Sequence, residues 1–218
     1  MVRGQLAAAW VTTIYRLASS HLVTRAGLKP HFFKDFALSL PSIPEPARVI
    51  VSVLTTNRQV LSAAKPLLVR ELGPLDEEIG PLAFNYTSYY NDEMGQGILR
   101  WLWCFADLVD REALVGIKCL TNTIEQAYTV EGKRKLNLDP GLMTLGNFVL
   151  ATGKNNAHRI YLGKGIFADL TLVFRAGTYR PLEWTYPDYA DRELIAILNR
   201  FRESYKCRLM EQTPQTAR

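Results

Sequence analysis

"NLDPGLMTLGNFVLA", Asn137 to Ala151, decides how the second half of the chain is built. Its first five residues match a helix start. Asp139 can accept hydrogen bonds from free backbone N–H groups, and Pro140 suits the first helical position, where its missing N–H loses nothing. Removing such a cap costs about 1 kcal/mol. Immediately upstream, "EGKRK" brings Lys133, Arg134 and Lys135, with Asn137, to the same corner. A helix N-terminus favours anions through its dipole and unpaired amides. Asp139 opposes a bound anion there, because it already fills the cap with negative charge.

Working outward, "PSIPEP" (41–46) carries three prolines in six residues and marks the boundary of the compact domain. "ARVIVSVL" (47–54) reads as a buried central strand. Asn57 caps a helix whose apolar stripe is Val60, Leu61, Ala64, Leu67, Leu68 and Leu72, and Gly73 stops it. "LAFNYT" (82–87) and "GILRWLWCF" (97–105) read as strands joined by the loop "SYYNDEMG". In the second, Leu99, Trp101, Trp103 and Phe105 share one face and Arg100 stands on the other with Ile98, Leu102 and Cys104.

Asp110 then caps a helix running to about Tyr128. Strand, helix, strand, strand, helix is the opening of a split βαβ, ferredoxin-like arrangement, with "GKRKLNL" (132–138) as the fourth strand. "HRIYL", "IFADLTLVF" and "TYRPLEW" add C-terminal hairpins, the last two joined across Ala176-Gly177. A final helix from about Asp188 to Leu209 buries Leu194, Ile197, Leu198, Phe201 and Tyr205. The expected fold class is therefore α+β, an antiparallel sheet with a ferredoxin-like start, extra hairpins and a C-terminal helix.

The 218 residues, 48% hydrophobic and 22% charged, have the composition of one ordinary globular domain. The net charge of +5 is uneven: residues 1–46 hold a surplus of +3 and the rest only +2. The body is nearly balanced, so no long-range attraction to a polyanion follows. Residues 1–46 combine Arg with Ser, Thr and Ala and have no acidic group before Asp35, a pattern resembling an organellar presequence. The preferred alternative is a start assigned too far upstream, giving an extension without a fold of its own; residues 210–218 read as a disordered tail. The apolar run Leu6–Ile14 is too short to span a membrane. Cys104, Cys119 and Cys207 fit neither a disulfide framework nor a metal knuckle and point to a cytoplasmic protein.

Three polar groups stand out. The corner already described supplies Arg134, Asn137 and Asp139. "ATGKNNAHRIYL" supplies Lys154, His158 and Arg159: alternation sets His158 with Ile160 and Leu162, as a hydrogen-bonded histidine at a core edge, and Lys154 on the preceding turn reaches outward. Lys118, Asn122 and Glu125, spaced by four and three, share one helix face, either as a solvated stripe or as the wall of a polar pocket beside Arg100. "EWTYPDY" (183–189) gathers Trp184, Tyr186, Asp188 and Tyr189 as a helix entry capped by Asp188 or as an aromatic wall. His158 is the only histidine after the boundary, which excludes a multi-histidine metal site.

"NYTSYYNDEMG", "KCLTNTIE", "GKRKLNLDPG", "LATGKNNAHRIYLGKGIFADLTL" and "WTYPDY", in that order, resemble the bacterial domain of unknown function (DUF) 4416 family over residues 47–206. The resemblance implies a domain beginning near position 46 and carries no mechanism with it. P-loop GTPase chemistry is excluded by the residues: the nearest match, "GLMTLGNF" (141–148), has Asn147 where the phosphate-binding lysine belongs and Phe148 where the magnesium-holding hydroxyl belongs.

The leading functional reading is a site for a small anionic or phosphorylated ligand, built from Lys118, Asn122, Glu125, Arg134, Asn137, Asp139, Lys154, His158 and Arg159, with Glu93 or Asp188 moving protons. It requires that Arg134, Asn137, Lys154 and Arg159 converge in one cleft. The alternatives are an RNA-binding module of the ferredoxin-like kind, disfavoured by the balanced charge, and a scaffold or homo-oligomer whose polar motifs serve folding alone. The residues identify no cofactor and no oligomeric state.

Overall fold

The computed structural model describes residues 41–87 and 89–212, and the expectations placed on 1–40 and 213–218 lie outside them. The chain divides after Ile43, and every element below belongs to the unit beginning at Pro44.

The fold is α+β. Strand β1 (Ala47–Thr55) is buried at every position. Helix α1 (Arg58–Leu72) is capped by Asn57, whose Oδ1 accepts from the backbone N–H of Gln59 and Val60, and it ends at Gly73. Strand β2 is Leu75–Ala83, a single turn α2 is Asn91–Met94, and β3 is Leu99–Val109. The expected strand at 82–87 is thus displaced: only Leu82 and Ala83 are extended. The true strand alternates exposed and half-buried residues through "LDEEIGPLA", a pattern set by pairing with β3 rather than by apolar content.

Helix α3 (Leu114–Ala127) follows one 3-10 turn at Arg111–Ala113. Asp110 precedes that turn but makes no side-chain cap; its carbonyl accepts from Ala113 instead. Then come the short β4 (Thr129–Val130) and β5 (Lys133–Arg134), β6 (Asn137–Met143), β7 (Asn147–Thr152), β8 (Arg159–Gly163), β9 (Ile166–Arg175), β10 (Thr178–Pro181) and helix α4 (Arg192–Gln212). Helix α4 begins later than expected because Asp191, not Asp188, accepts from its first N–H groups.

All strands but β4 and β5 form one antiparallel sheet in the order β10-β9-β7-β6-β1-β3-β2, with β8 also paired to β9. Both faces are covered. Trp101, Trp103 and Phe105 of β3 pack with α1 and α3, whereas Leu102 and Cys104 pack with Leu194, Leu198 and Phe201 of α4. Fully burying such a side chain contributes about 1.5–3 kcal/mol. Arg48 ties the α4 layer down: with no exposure it donates to Phe105 O (3.0 Å) and Ser204 Oγ (2.8 Å) and pairs with Asp76. Burial would raise the Asp76 carboxyl, but the Arg48 hydrogen bond and charge, with Arg208, hold it below its usual value.

The helix expected from "DPG" does not form. Asn137–Met143 is a strand antiparallel to β1, with Ser52 opposite Asp139 and Val51 opposite Pro140. After it, Thr144–Gly146 turns the chain into β7: Thr144 N donates to Asn147 O (2.9 Å), and Thr144 Oγ1 accepts from the N–H of Gly146 and Asn147. Local capping chemistry loses here to non-local burial, since Leu136, Leu138 and Leu142 all enter the core beneath α3.

Proline is tolerated because the sheet is split at this point. β6 pairs with β1 from Asn137 to Met143 but meets β7 only from Gly141 onward. Leu138 and Pro140, two residues apart, have the same ladder parity and turn their backbone away from β1, toward the side where β7 has already parted from β6. Pro140 therefore removes no ladder hydrogen bond. Leu138 needs partners on that side. Glu125 Oε1 accepts from its N–H (2.6 Å) and Lys118 Nζ donates to its carbonyl (3.0 Å).

Gly141 discriminates the two readings. A Cβ built on it would stand 2.7 Å from the Phe148 ring and 3.0 Å from Val149 O. In a helix, Gly→Ala stabilises by roughly 0.5–1 kcal/mol; in this strand Gly141→Ala should destabilise by about 1–3 kcal/mol through overpacking. Urea unfolding of the two proteins gives the sign.

Candidate functional site

Where β6 and β7 part, a cleft of about 650 Å³ opens. Its walls come from segments distant in sequence: Phe84, Tyr86, Thr87, Tyr89 and Tyr90 after β2, the polar face of α3, Arg134, Asn137 and Asp139, Leu150–Lys154, and Tyr186–Tyr189 before α4. Of the nine site residues expected from the sequence, Lys118, Asn122, Glu125, Arg134, Asn137, Asp139, Lys154 and Arg159 all line it. His158 does not. It stacks on Trp184 (5.2 Å between ring centroids, 14° between planes), and its Nε2 lies 3.4 Å from Asp169 Oδ2. Alternation did not set its face toward the core: Ile160 and Leu162 beside it are exposed.

The network on the α3 side is continuous. Arg134 donates through Nε (2.9 Å) and NH2 (2.7 Å) to Glu93 Oε2, and through NH1 to Asn137 Oδ1 (3.0 Å) and Glu125 Oε2 (3.4 Å). Asn137 Nδ2 donates to Asp139 Oδ2 (2.6 Å), and the other Asp139 oxygen lies 3.6 Å from Lys118. Glu93, considered above for proton transfer, is held by a guanidinium that it shares with Glu125. The α3 stripe is not solvated: Lys118 and Glu125 are buried and serve the unpaired backbone of Leu138.

On the opposite wall, Arg159 donates to buried Asp169 (2.9 Å), to Lys154 O (2.9 Å) and to Tyr186 OH (2.8 Å). Arg100 pairs with Asp188 at the inner end, so Asp188 belongs to the aromatic wall rather than to a helix cap. Six rings line the space: Phe84, Tyr86, Tyr89, Tyr90, Tyr186 and Tyr189. Burial pushes the Tyr90 and Tyr189 hydroxyls above their ordinary range.

The lining carries five cations, Arg100, Lys118, Arg134, Lys154 and Arg159, against four carboxylates, Glu125, Asp139, Asp169 and Asp188. The walls are close to charge balance, unlike the surplus of lysine and arginine that the "GKRK" approach suggests. Among the described residues no group of three or more His, Cys, Asp or Glu side chains is placed to hold a metal ion, and no helix is long and apolar enough to cross a membrane. Phe84, Tyr86, Tyr89, Tyr90 and Asp169 were not singled out as site residues from the sequence. The aromatic run "FNYTSYY" and the lone acid inside "IFADLTLVF" were the available signals.

Glu125 ties the cleft to pH. Burial pushes its carboxyl up, and Lys118, the Leu138 N–H and Arg134, which pull the other way, do not offset that. An acid held up in this way weakens the fold as it ionises. Relative to Glu125→Gln, which keeps an acceptor for Leu138, the wild type should lose stability as pH rises from the unfolded value of about 4.3 through the raised folded one. Urea titrations of both proteins between pH ~4 and ~8 check this; parallel curves would be the contrary result.

Comparison with known proteins returns no curated protein and no solved structure that matches. A family model does match, over residues 45–205. Those residues hold the entire cleft, and the chain belongs to the family described as domain of unknown function DUF4416.

Proposed function

We propose that the cleft binds a small ligand carrying an anionic group, and that Lys154 meets that group. The observation behind this reading is one of pairing. Arg100, Lys118, Arg134 and Arg159 each have a carboxylate within ion-pair distance. Among the described residues Lys154 alone of the lining cations has none; its Nζ lies 3.4 Å from Tyr89 OH and 4.7 Å from the centre of that ring. The paired cations hold the walls in position, and Lys154, exposed at the mouth, supplies the charge left over. A ring of the ligand would find tyrosine faces beside it. The volume lies within the span of about 300–1,000 Å³ common to small-molecule sites.

A thermal-shift screen with sugar phosphates and nucleoside phosphates at physiological salt tests the reading. At a hundredfold excess over Kd, binding stabilises by about 2.7 kcal/mol, which raises Tm by roughly 5–10 °C for a domain of this size. Lys154→Ala should keep its own Tm, being an exposed side chain, and lose most of the shift. A wild type indifferent to every phosphate compound defeats the proposal.

A further inference from the structure

The inner end of the cleft holds a pair whose chemistry the anion reading leaves unused. Arg100 projects from β3 between two rings, its guanidinium carbon 4.8 Å from the centre of Phe84 and 5.1 Å from that of Tyr189. The residue is 4% exposed. Its NH2 donates to Asp188 Oδ2, the one hydrogen bond the group makes among the described residues, and its Nε, shielded from solvent, has no acceptor. A guanidinium has five N–H donors in one plane. Nε is closed to a ligand as it is to water, whereas NH1, which also makes no hydrogen bond among the described residues, is not sealed and is the donor that a ligand oxygen can reach. Asp188 meets Arg100 with one oxygen, and its other oxygen accepts nothing from the described residues.

Because Arg100 and Asp188 neutralise one another, the pair offers little to a net charge. What it offers is direction: N–H donors beside a carboxylate acceptor, set among flat apolar faces. The complement of such an edge is a planar ring with a carbonyl next to an N–H. Ring contacts lead from there to the mouth, Phe84 to Tyr90 (6.1 Å), Tyr90 to Tyr89 (5.0 Å), and Tyr89 to Lys154.

We infer that the ligand bears a lactam-containing heterocycle, whose carbonyl oxygen accepts from Arg100 and whose N–H donates to Asp188, with its anionic group toward Lys154. This rests on the anion reading and narrows it to phosphorylated compounds such as uracil, hypoxanthine or guanine nucleotides. No covalent step is implied.

Isothermal titration of the wild type with uridine, inosine and guanosine 5′-monophosphates, against adenosine and cytidine 5′-monophosphates, tests the inference. The lactam nucleotides should bind roughly tenfold or more tightly, the worth of a hydrogen bond to a charged group. 3-Methyluridine 5′-monophosphate keeps the ring, carbonyls and phosphate but lacks the N–H, and should lose the same factor without any change to the protein. Asp188→Asn should shrink the preference to below about threefold while binding persists through Lys154. Equal affinity for all six nucleotides, with binding lost in Lys154→Ala, overturns the lactam inference and leaves the anion reading standing. Binding of sugar phosphates but of no nucleotide overturns it likewise. A protein that binds none of these compounds loses both.

Discussion

The structure depends on two hydrogen bonds to one residue. Leu138 has its backbone N–H and C=O turned to a side of the sheet where no strand arrives, and Glu125 and Lys118 reach across from α3 to satisfy them. Buried backbone groups left without partners would be prohibitively costly. With those two side chains in place, β6 can stay in the sheet through β1 while β7 swings away, and the cavity between them becomes affordable. Lys118 and Glu125 are therefore a strand's substitute before they are walls of a site. Their burial also explains why an acid and a base spaced seven apart on a helix are not solvated.

Much of this fold was legible locally. β1 has a β-branched apolar run interrupted only by Arg48 and Ser52; α1, α3 and α4 have stripes at helical spacing; β3 alternates so that its two faces separate in the sequence. These elements announce themselves because burial repeats with the period of their own backbone. In "NLDPG", Asp, Pro and Gly each have a strong local meaning, and non-local burial overrides all three. Asp139 hydrogen-bonds Asn137 rather than a helix end, Pro140 sits where a ladder is missing, and Gly141 makes room for Phe148. β2 was hidden for the opposite reason, having weak apolar content and a register dictated by its neighbour.

The candidate site was legible as a set of parts rather than as an arrangement. Charged and amide side chains clustered beside turns stood out, and eight of the nine named converge on the cleft. The compensation among them did not stand out. Asp169 lies ten residues from Arg159, Glu93 forty-one from Arg134 and Asp188 eighty-eight from Arg100. Nothing in linear order announces such pairings, so a stretch that looks cationic folds into a nearly neutral wall. The tyrosines are hidden for a related reason: "SYYN" reads as a plain loop, whereas Tyr89 and Tyr90 form a turn that leads into α2 at Asn91 and lines the cavity.

The double duty of Lys118 and Glu125 has a consequence for genetics. Most substitutions in the walls of this cavity would break a strand's stand-in or strand a buried charge, and would be felt first as less protein in the cell. A random library scored by phenotype would thus map foldedness, and exposed positions such as Lys154, which lean on solvent rather than on the framework, would be its rarest hits.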